Sequence, residues 1–315
     1  MRSPVGTPAG GPGGLRYLAA VVVLSSLLSG CVTGESAHRD GSDPVIVPGR
    51  GVFTFDGYGP LRDRPVRVWY NAPADLSTAE IIMVMHGTGR SGQDYRADWE
   101  PLLRDHNVLL LVPEFAESSY PGAVSYNLGN MLDEQGSLLP EEQWSFHVVE
   151  ALFDFVVTEV HSEAEDFALF GHSAGAQFVH RFVEFMPKHR ARVAVAANAG
   201  WYTVPDDSVQ FPYGLKESPA REDDMAAAFA SDLVVLLGAD DIDPENDSLR
   251  RDERSDEQGI NRLERGLHFY LRSRDIAARR SMPFTWRLIV TPGIAHSHSE
   301  MARVSAPLLI GARRD

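Results

Sequence analysis

The sequence predicts an α/β protein with a mostly parallel central sheet and helices on both of its faces. Two observations carry that expectation. From about Gly51 onward, short apolar runs alternate with stretches of helical periodicity, the β-then-α rhythm of a parallel sheet with crossover helices. Several of the runs are apolar at every position, the pattern of a strand buried on both faces. No internal repeat and no second linker interrupts this region, so a single large core is expected.

Before that region lies a segment of another kind. Arg2 and Arg16 flank a small-residue stretch, and an apolar run over 18–28 follows, too short for a permanent membrane span. It ends in Leu28-Ser29-Gly30-Cys31, so residues 1–30 read as a signal peptide. Cys31 is the one cysteine of the chain, which excludes an intramolecular disulfide. The tetrapeptide resembles the bacterial lipobox. That resemblance implies cleavage before Cys31, diacylation of that cysteine, and a protein held to a bacterial membrane in the cell envelope, facing outside the cytoplasm. Several acyl chains would anchor it firmly, since each buried methylene adds about 0.8 kcal/mol. Residues 31–50 are rich in Gly, Ser, Asp and Pro and read as a flexible tether, leaving 51–315 as the folded domain.

Within 51–315 the elements follow in order. Runs at 51–55 and 66–70 alternate apolar and polar residues and predict an antiparallel hairpin. Buried strands are expected at 81–85, 108–112, 167–170, 193–197 and 233–237, with a last one in 286–291. Helical periodicity fills 94–105, 141–161, 175–186, 260–280 and 300–309. The interval 201–232 has room for a small lid at most.

The candidate chemistry lies just after the strands, where open α/β sheets place their active groups. Gly171-His172-Ser173-Ala174-Gly175 is a G-x-S-x-G pentapeptide between a strand pattern and a helix pattern. A strand turning sharply into a helix holds a serine in a strained conformation with its hydroxyl exposed, and glycines flank it because a Cβ would clash. After the 81–85 run comes His86-Gly87-Thr88-Gly89, whose small residues let backbone N–H groups approach a developing oxyanion. After 233–237 comes Gly238-Ala239-Asp240-Asp241-Ile242-Asp243, offering three carboxylates that could orient a base histidine. Asp241, Asp243, Glu245 and Asp247 also alternate like a calcium loop, but without the glycine and distal glutamate of an EF-hand. After the last strand, Gly293-Ile294-Ala295-His296-Ser297-His298 offers two histidines as the base. No zinc-type cluster is visible, so no metal is expected. Asn198 to Tyr202, Phe211 to Gly214 and Tyr126 to Asn130 are candidate walls of a substrate cleft, with Trp201, Tyr202 and Tyr213 as candidate contacts.

Charge narrows the partners. The 315 residues carry 29 basic and 44 acidic side chains, a net charge of −15. Such a surface excludes nucleic acid as the natural partner and says little about a small neutral substrate.

Together these motifs resemble the α/β-hydrolase superfamily over about 51–315. The stretch Gly171 to Phe178, and the HGTG loop with Tyr95, Trp99 and Val112-Pro113-Glu114-Phe115 after it, are similar to secreted esterases of the poly(3-hydroxybutyrate) depolymerase-like and feruloyl-esterase-like branch. The resemblance implies the α/β-hydrolase fold and cofactor-free hydrolysis of a carboxylic ester through an acyl-enzyme. Its G-x-x-D spacing selects Asp241 over Asp243 and Asp240, its G-x-x-H spacing selects His296 over His298, and Ser173, Asp241, His296 stand in the family's chain order. The oxyanion donors it implies are the N–H groups of Thr88 and Ala174, with Gly87 close by, while His86 is a loop-fixing residue. The chain lacks the cysteine patterns and the separate substrate-binding domain of several secreted depolymerases, which argues against an insoluble polyester. A peptidase or acyltransferase on the same residues, and a non-catalytic binding lipoprotein, are the competing readings.

Overall fold

The computed structural model describes residues 44–311. The expected signal peptide, Cys31 and most of the tether lie outside the described residues. The end of the tether does not: Ile46 is buried, Val45 packs on the core, and the first strand begins at Gly49. The folded domain therefore starts before Gly51, because Val45 and Ile46 supply apolar surface that a composition dominated by Gly, Ser and Pro hid.

Eight strands form one sheet in the order β1-β2-β4-β3-β5-β6-β7-β8. β1 (Gly49–Phe55) pairs antiparallel with β2 (Val66–Ala72), and β2 pairs antiparallel with β4 (Val108–Glu114). From β4 across β3 (Glu80–Met85), β5 (Phe167–His172), β6 (Ala191–Ala197), β7 (Leu233–Gly238) and β8 (Arg287–Thr291) every pairing is parallel. All six carboxyl ends therefore lie along one edge.

The all-apolar runs divide their side chains between two layers. Ile81, Met83, Met85, Leu233, Val235 and Leu237 join one core, and Ile82, Val84, Val234 and Leu236 the other. This period-2 split is why those strands read as continuously apolar. Helices α1 (Gly92–Leu103) and α8 (His298–Leu309) cover the second layer through Tyr95, Trp99, Leu103, Met301, Ala302 and Leu309, spaced to fall on one face of each helix. On the first layer lie α3 (Phe146–Glu159), α4 (Ala174–Phe185), α5 (Glu222–Phe229) and α7 (Arg262–Arg279). Two single turns, α2 (Gly122–Ser125) and α6 (Glu253–Asp256), complete the helices. Side-chain caps set three of the starts: Ser91, Asn261 and Ser297 accept from Asp94, Glu264 and Glu300 N–H.

Two expectations shift. The helix expected over 141–161 begins at Phe146, after a 3₁₀ turn at Glu141–Gln143. The interval 201–232 holds α5, whose Met225, Ala228 and Phe229 are buried, so its second half is core rather than lid.

Candidate active site

Gly171 and Gly175 are dictated by packing. A Cβ on Gly175 would sit 2.1 Å from the Met85 carbonyl oxygen, and one on Gly171 would sit 2.2 Å from the Gly175 oxygen. The absence of both lets β5 and α4 approach β3 closely enough to set Ser173 at their junction. Ser173 takes φ 57° and ψ −114°, a region costly to any residue with a side chain. Its N–H donates to the Ala197 carbonyl at 3.0 Å and its carbonyl accepts from Gln177 at 3.1 Å, so the turn is held from both sides.

The loops after β7 and β8 bring two more groups to this serine. His296 Nε2 lies 3.0 Å from Ser173 Oγ, and His296 Nδ1 lies 2.7 Å from Asp241 Oδ2. Asp241 is buried, whereas Asp240 and Asp243 are exposed and make no contact with His296. The three carboxylates left open by the residues alone are thus distinguished by position. On its other side Asp241 faces Arg262, at the first position of α7, whose guanidinium lies 3.4 Å from Asp241 Oδ1 and donates to Ser248 Oγ at 2.8 Å. Leu263 N–H donates to the Asp241 carbonyl, so the start of α7 fixes backbone and side chain together.

Asn198 was expected to edge a cleft. It is instead a brace: with φ 51° it accepts from Gly238 N–H at 2.8 Å and donates to the Ala295 carbonyl at 3.1 Å. One buried amide therefore joins the acid loop to the base loop. Asp240 N–H to Ile294 and Ala239 N–H to Thr291 complete the seam. Gly238 is required there, since a Cβ would come 2.3 Å from the Ile294 carbonyl.

Ala174 is the first residue of α4, where an N–H has no intrahelical acceptor and the helix dipole favours negative charge. No protein acceptor among the described residues takes the Thr88 N–H either. Gly87 departs from expectation: its N–H donates to the Tyr95 hydroxyl at 2.9 Å, so it is not available to an oxyanion. His86 is a loop-fixing residue. Its Nε2 accepts from Phe115 N–H at 3.0 Å, which leaves Nδ1–H to donate to the Gly87 carbonyl at 2.9 Å. Burial pushes its pKa down to about 4, keeping the ring neutral.

Of the three candidate substrate contacts, Trp201 and Tyr202 are packing residues and Tyr213 is half-buried. Tyr202 is fully buried and stacks on Phe269; its N–H donates to Gln258 Oε1 and its carbonyl accepts from Gln258 Nε2. Trp201 lies under the Arg181 guanidinium at 4.2 Å and against Tyr213, whose hydroxyl donates to Asp252. Aromatic residues after a strand end look alike in sequence whether they face a cleft or a core. Sequence reasoning also missed His172, which is buried, lies with its ring 4.6 Å from that of His296, and places Nδ1 3.2 Å from the Tyr95 hydroxyl. Its position before the serine was the only signal. His298 Nδ1 lies 2.5 Å from Asp98 Oδ2 and does not reach Ser173.

This fold recurs in solved structures. Poly(aspartic acid) hydrolase-1 from Sphingomonas sp. KT-1 is 40% identical with a TM-score of 0.81, the match covering 84% of this chain and 99% of that one. LpqC, a poly(3-hydroxybutyrate) depolymerase from Bordetella parapertussis, is 32% identical with a TM-score of 0.79, covering 85% and 92%. A ferulic acid esterase, 13% identical with a TM-score of 0.50, covering 84% and 97%, shares the fold alone. No protein-family model matches the chain, and neither does any curated protein sequence. The chain belongs to the α/β-hydrolase superfamily. Within it the chain is similar to the poly(aspartic acid) hydrolase and the poly(3-hydroxybutyrate) depolymerase just described, and it is a hydrolase.

Proposed function

We propose that the protein cleaves carboxylic esters through an acyl-enzyme on Ser173. The observation that carries this reading is the unbroken relay from Ser173 Oγ through His296 to Asp241, at 3.0 and 2.7 Å. His296 Nε2 takes the hydroxyl proton as Ser173 Oγ attacks the acyl carbonyl, and Asp241 stabilises the imidazolium. The N–H groups of Thr88 and Ala174 hold the tetrahedral oxyanion. Collapse breaks the ester C–O bond, and His296 returns the proton to the leaving alcohol. A water then gives its proton to His296 and attacks the acyl-serine, releasing the acid and restoring Ser173.

A second reading is favoured by one observation, the 40% identity to a poly(aspartic acid) hydrolase. An amide would form the same acyl-enzyme with an amine leaving. Esters and amides of matched acyl groups, assayed side by side, separate the two: the ester reading fails if amides turn over faster.

A fluorophosphonate probe tests the shared mechanism. Wild type labels and Ser173→Ala does not; equal labelling rejects it. Asp241→Asn is expected to lower kcat by about 10⁴-fold, with Asp240→Asn and Asp243→Asn close to wild type. A larger loss at Asp243 would overturn the assignment. We also propose that Cys31 is acylated and holds the enzyme at the cell envelope. Mass analysis of the mature amino terminus checks this, and an unmodified Cys31 rejects it.

A further inference from the structure

We propose that the Tyr95 hydroxyl is a positioning group that determines which amide of the 86–89 loop is left for the reacting carbonyl, by tying that loop to the strand end that carries Ser173. The inference rests on the acyl-enzyme reading above and concerns a residue with no role in that scheme. Tyr95 lies on α1, buried to 6% exposure. Its oxygen is 2.9 Å from Gly87 N and 3.2 Å from His172 Nδ1. The amide can only donate, so the phenolic oxygen accepts there and its one proton remains for His172 Nδ1. His172 is thereby fixed with its hydrogen on Nε2. Burial, with His296 and His298 nearby, holds its pKa well below the ordinary imidazole value and keeps this tautomer neutral.

The Gly87 carbonyl is occupied as well, accepting from Arg90 N–H at 3.1 Å and from His86 Nδ1 at 2.9 Å. With both of its backbone groups held, the Gly87 residue cannot rotate, and the next amide, that of Thr88, is left unclaimed. The fit is tight. A Cβ on Gly87 would come within 2.9 Å of the Tyr95 hydroxyl and 3.6 Å of Ser173 Cβ. From the far side the His298 ring stacks on Tyr95 at 4.6 Å, and His298 reaches back to Asp98, three residues along α1. The loops after β3, β5 and β8 therefore meet around one phenol. Without its hydroxyl, a buried Gly87 N–H has no acceptor and must turn to find one, which carries the Thr88 amide with it.

Steady-state kinetics on an aryl ester test this. Tyr95→Phe is expected to lower kcat by about ten- to a hundredfold, less than outright loss of an oxyanion donor, with KM within about twofold. Affinity for an aryl boronic acid, which places an oxygen in the same hole, should fall by a similar factor. His172→Leu removes the acceptor and should reproduce the loss. His172→Asn, whose Oδ1 can replace Nδ1, should recover most of it. An unchanged kcat in Tyr95→Phe overturns the proposal, as does His172→Asn as impaired as His172→Leu. Should Tyr95→Phe fail to fold, the His172 pair decides alone. Fluorophosphonate labelling of the wild type separates the two readings: no labelling sinks the acyl-enzyme scheme, whereas labelling together with an unaltered Tyr95→Phe sinks only this one.

Discussion

The two edges of the parallel sheet use polar residues in opposite ways. At the carboxyl edge the polar groups are buried and individually placed: His86, His172, Ser173, Asn198 and Asp241 are all under one-tenth exposed. Three residues there with side chains, Arg90, Ser173 and Asn198, hold positive φ. At the amino edge lie ion pairs, with Arg192 buried and the other members at least partly exposed. Arg190 pairs with Glu150 and Asp154, Arg192 with Glu80 and Asp166, and Arg287 with Asp232. An open cavity of about 760 Å³ there is lined by Glu80, Asp166, Arg190 and Arg192, yet both its arginines are already paired with carboxylates. The difference shows that a wide opening is not what marks this molecule's chemistry. The reactive edge is marked by strain at the serine itself and by buried polar groups around it, whereas the positive-φ residues of the other edge, His161 and Ser281, only end helices.

The comparison breaks most sharply at Ser173. Ser173→Gly should abolish turnover, a loss of about 10⁶-fold in kcat. The same change should raise stability by about 1 kcal/mol, the strain at φ 57° released less the extra freedom of glycine in the unfolded chain. Urea denaturation checks it. A variant less stable than wild type would mean that the elbow stores no strain, and the contrast between the two edges would lose its basis.

An acid titration of stability sharpens the same contrast. Burial holds His86, His172 and His180 below the ordinary imidazole pKa, His86 at about 4. Each binds a proton more readily in the unfolded chain. Their contribution is therefore complete above about pH 6.5 and is lost as pH falls from there toward 4. Glu184 opposes them, since burial raises its pKa and it favours the folded state as pH falls. Burial lowers His147 and His268 as well, so the histidines outweigh the one carboxyl and a net loss is expected, roughly 1–3 kcal/mol between pH 7.5 and pH 5. Urea midpoints at the two pH values measure it, and equal midpoints would mean that these rings are not held neutral.

The sequence revealed the strands and the chemistry they carry because both depend on local pattern. The apolar runs at β3, β4, β5 and β7 were legible since burial on both faces leaves no polar position, and Ser173 was legible since its turn demands glycine on either side. Asp241 needed the family's spacing, for nothing local separates it from Asp240 and Asp243. What stayed hidden acts across the chain. Asn198 joins Gly238 to Ala295, 40 and 97 residues away, and Tyr95 reaches His172 across 77. No window of sequence contains such a bond. The same blindness made Gly87 look like a free donor and made Trp201 and Tyr202 look like cleft walls, since only the partner decides either question.

The smallest effects belong to the amino edge, and they differ within it. The Arg192 side chain is 5% exposed and donates to Glu80, Asp166 and the Leu309 carbonyl, so it ties β6 to β3 and to the end of α8. Arg192→Met removes three acceptors' partner at once but leaves the two carboxylates about two-fifths exposed, where water replaces the arginine. A loss of about 1–2 kcal/mol is expected, at the low end for a buried partner. Arg287 and Asp232 are both more than two-fifths exposed, and a pair so screened contributes little. Arg287→Ala should therefore stay within about 0.5 kcal/mol of wild type. Neither change should alter kcat/KM on an aryl ester, because no hydrogen bond runs from either arginine to a loop carrying Ser173, Asp241 or His296. A kinetic loss in either variant, with the fold intact, would show that the two edges are coupled through the strands.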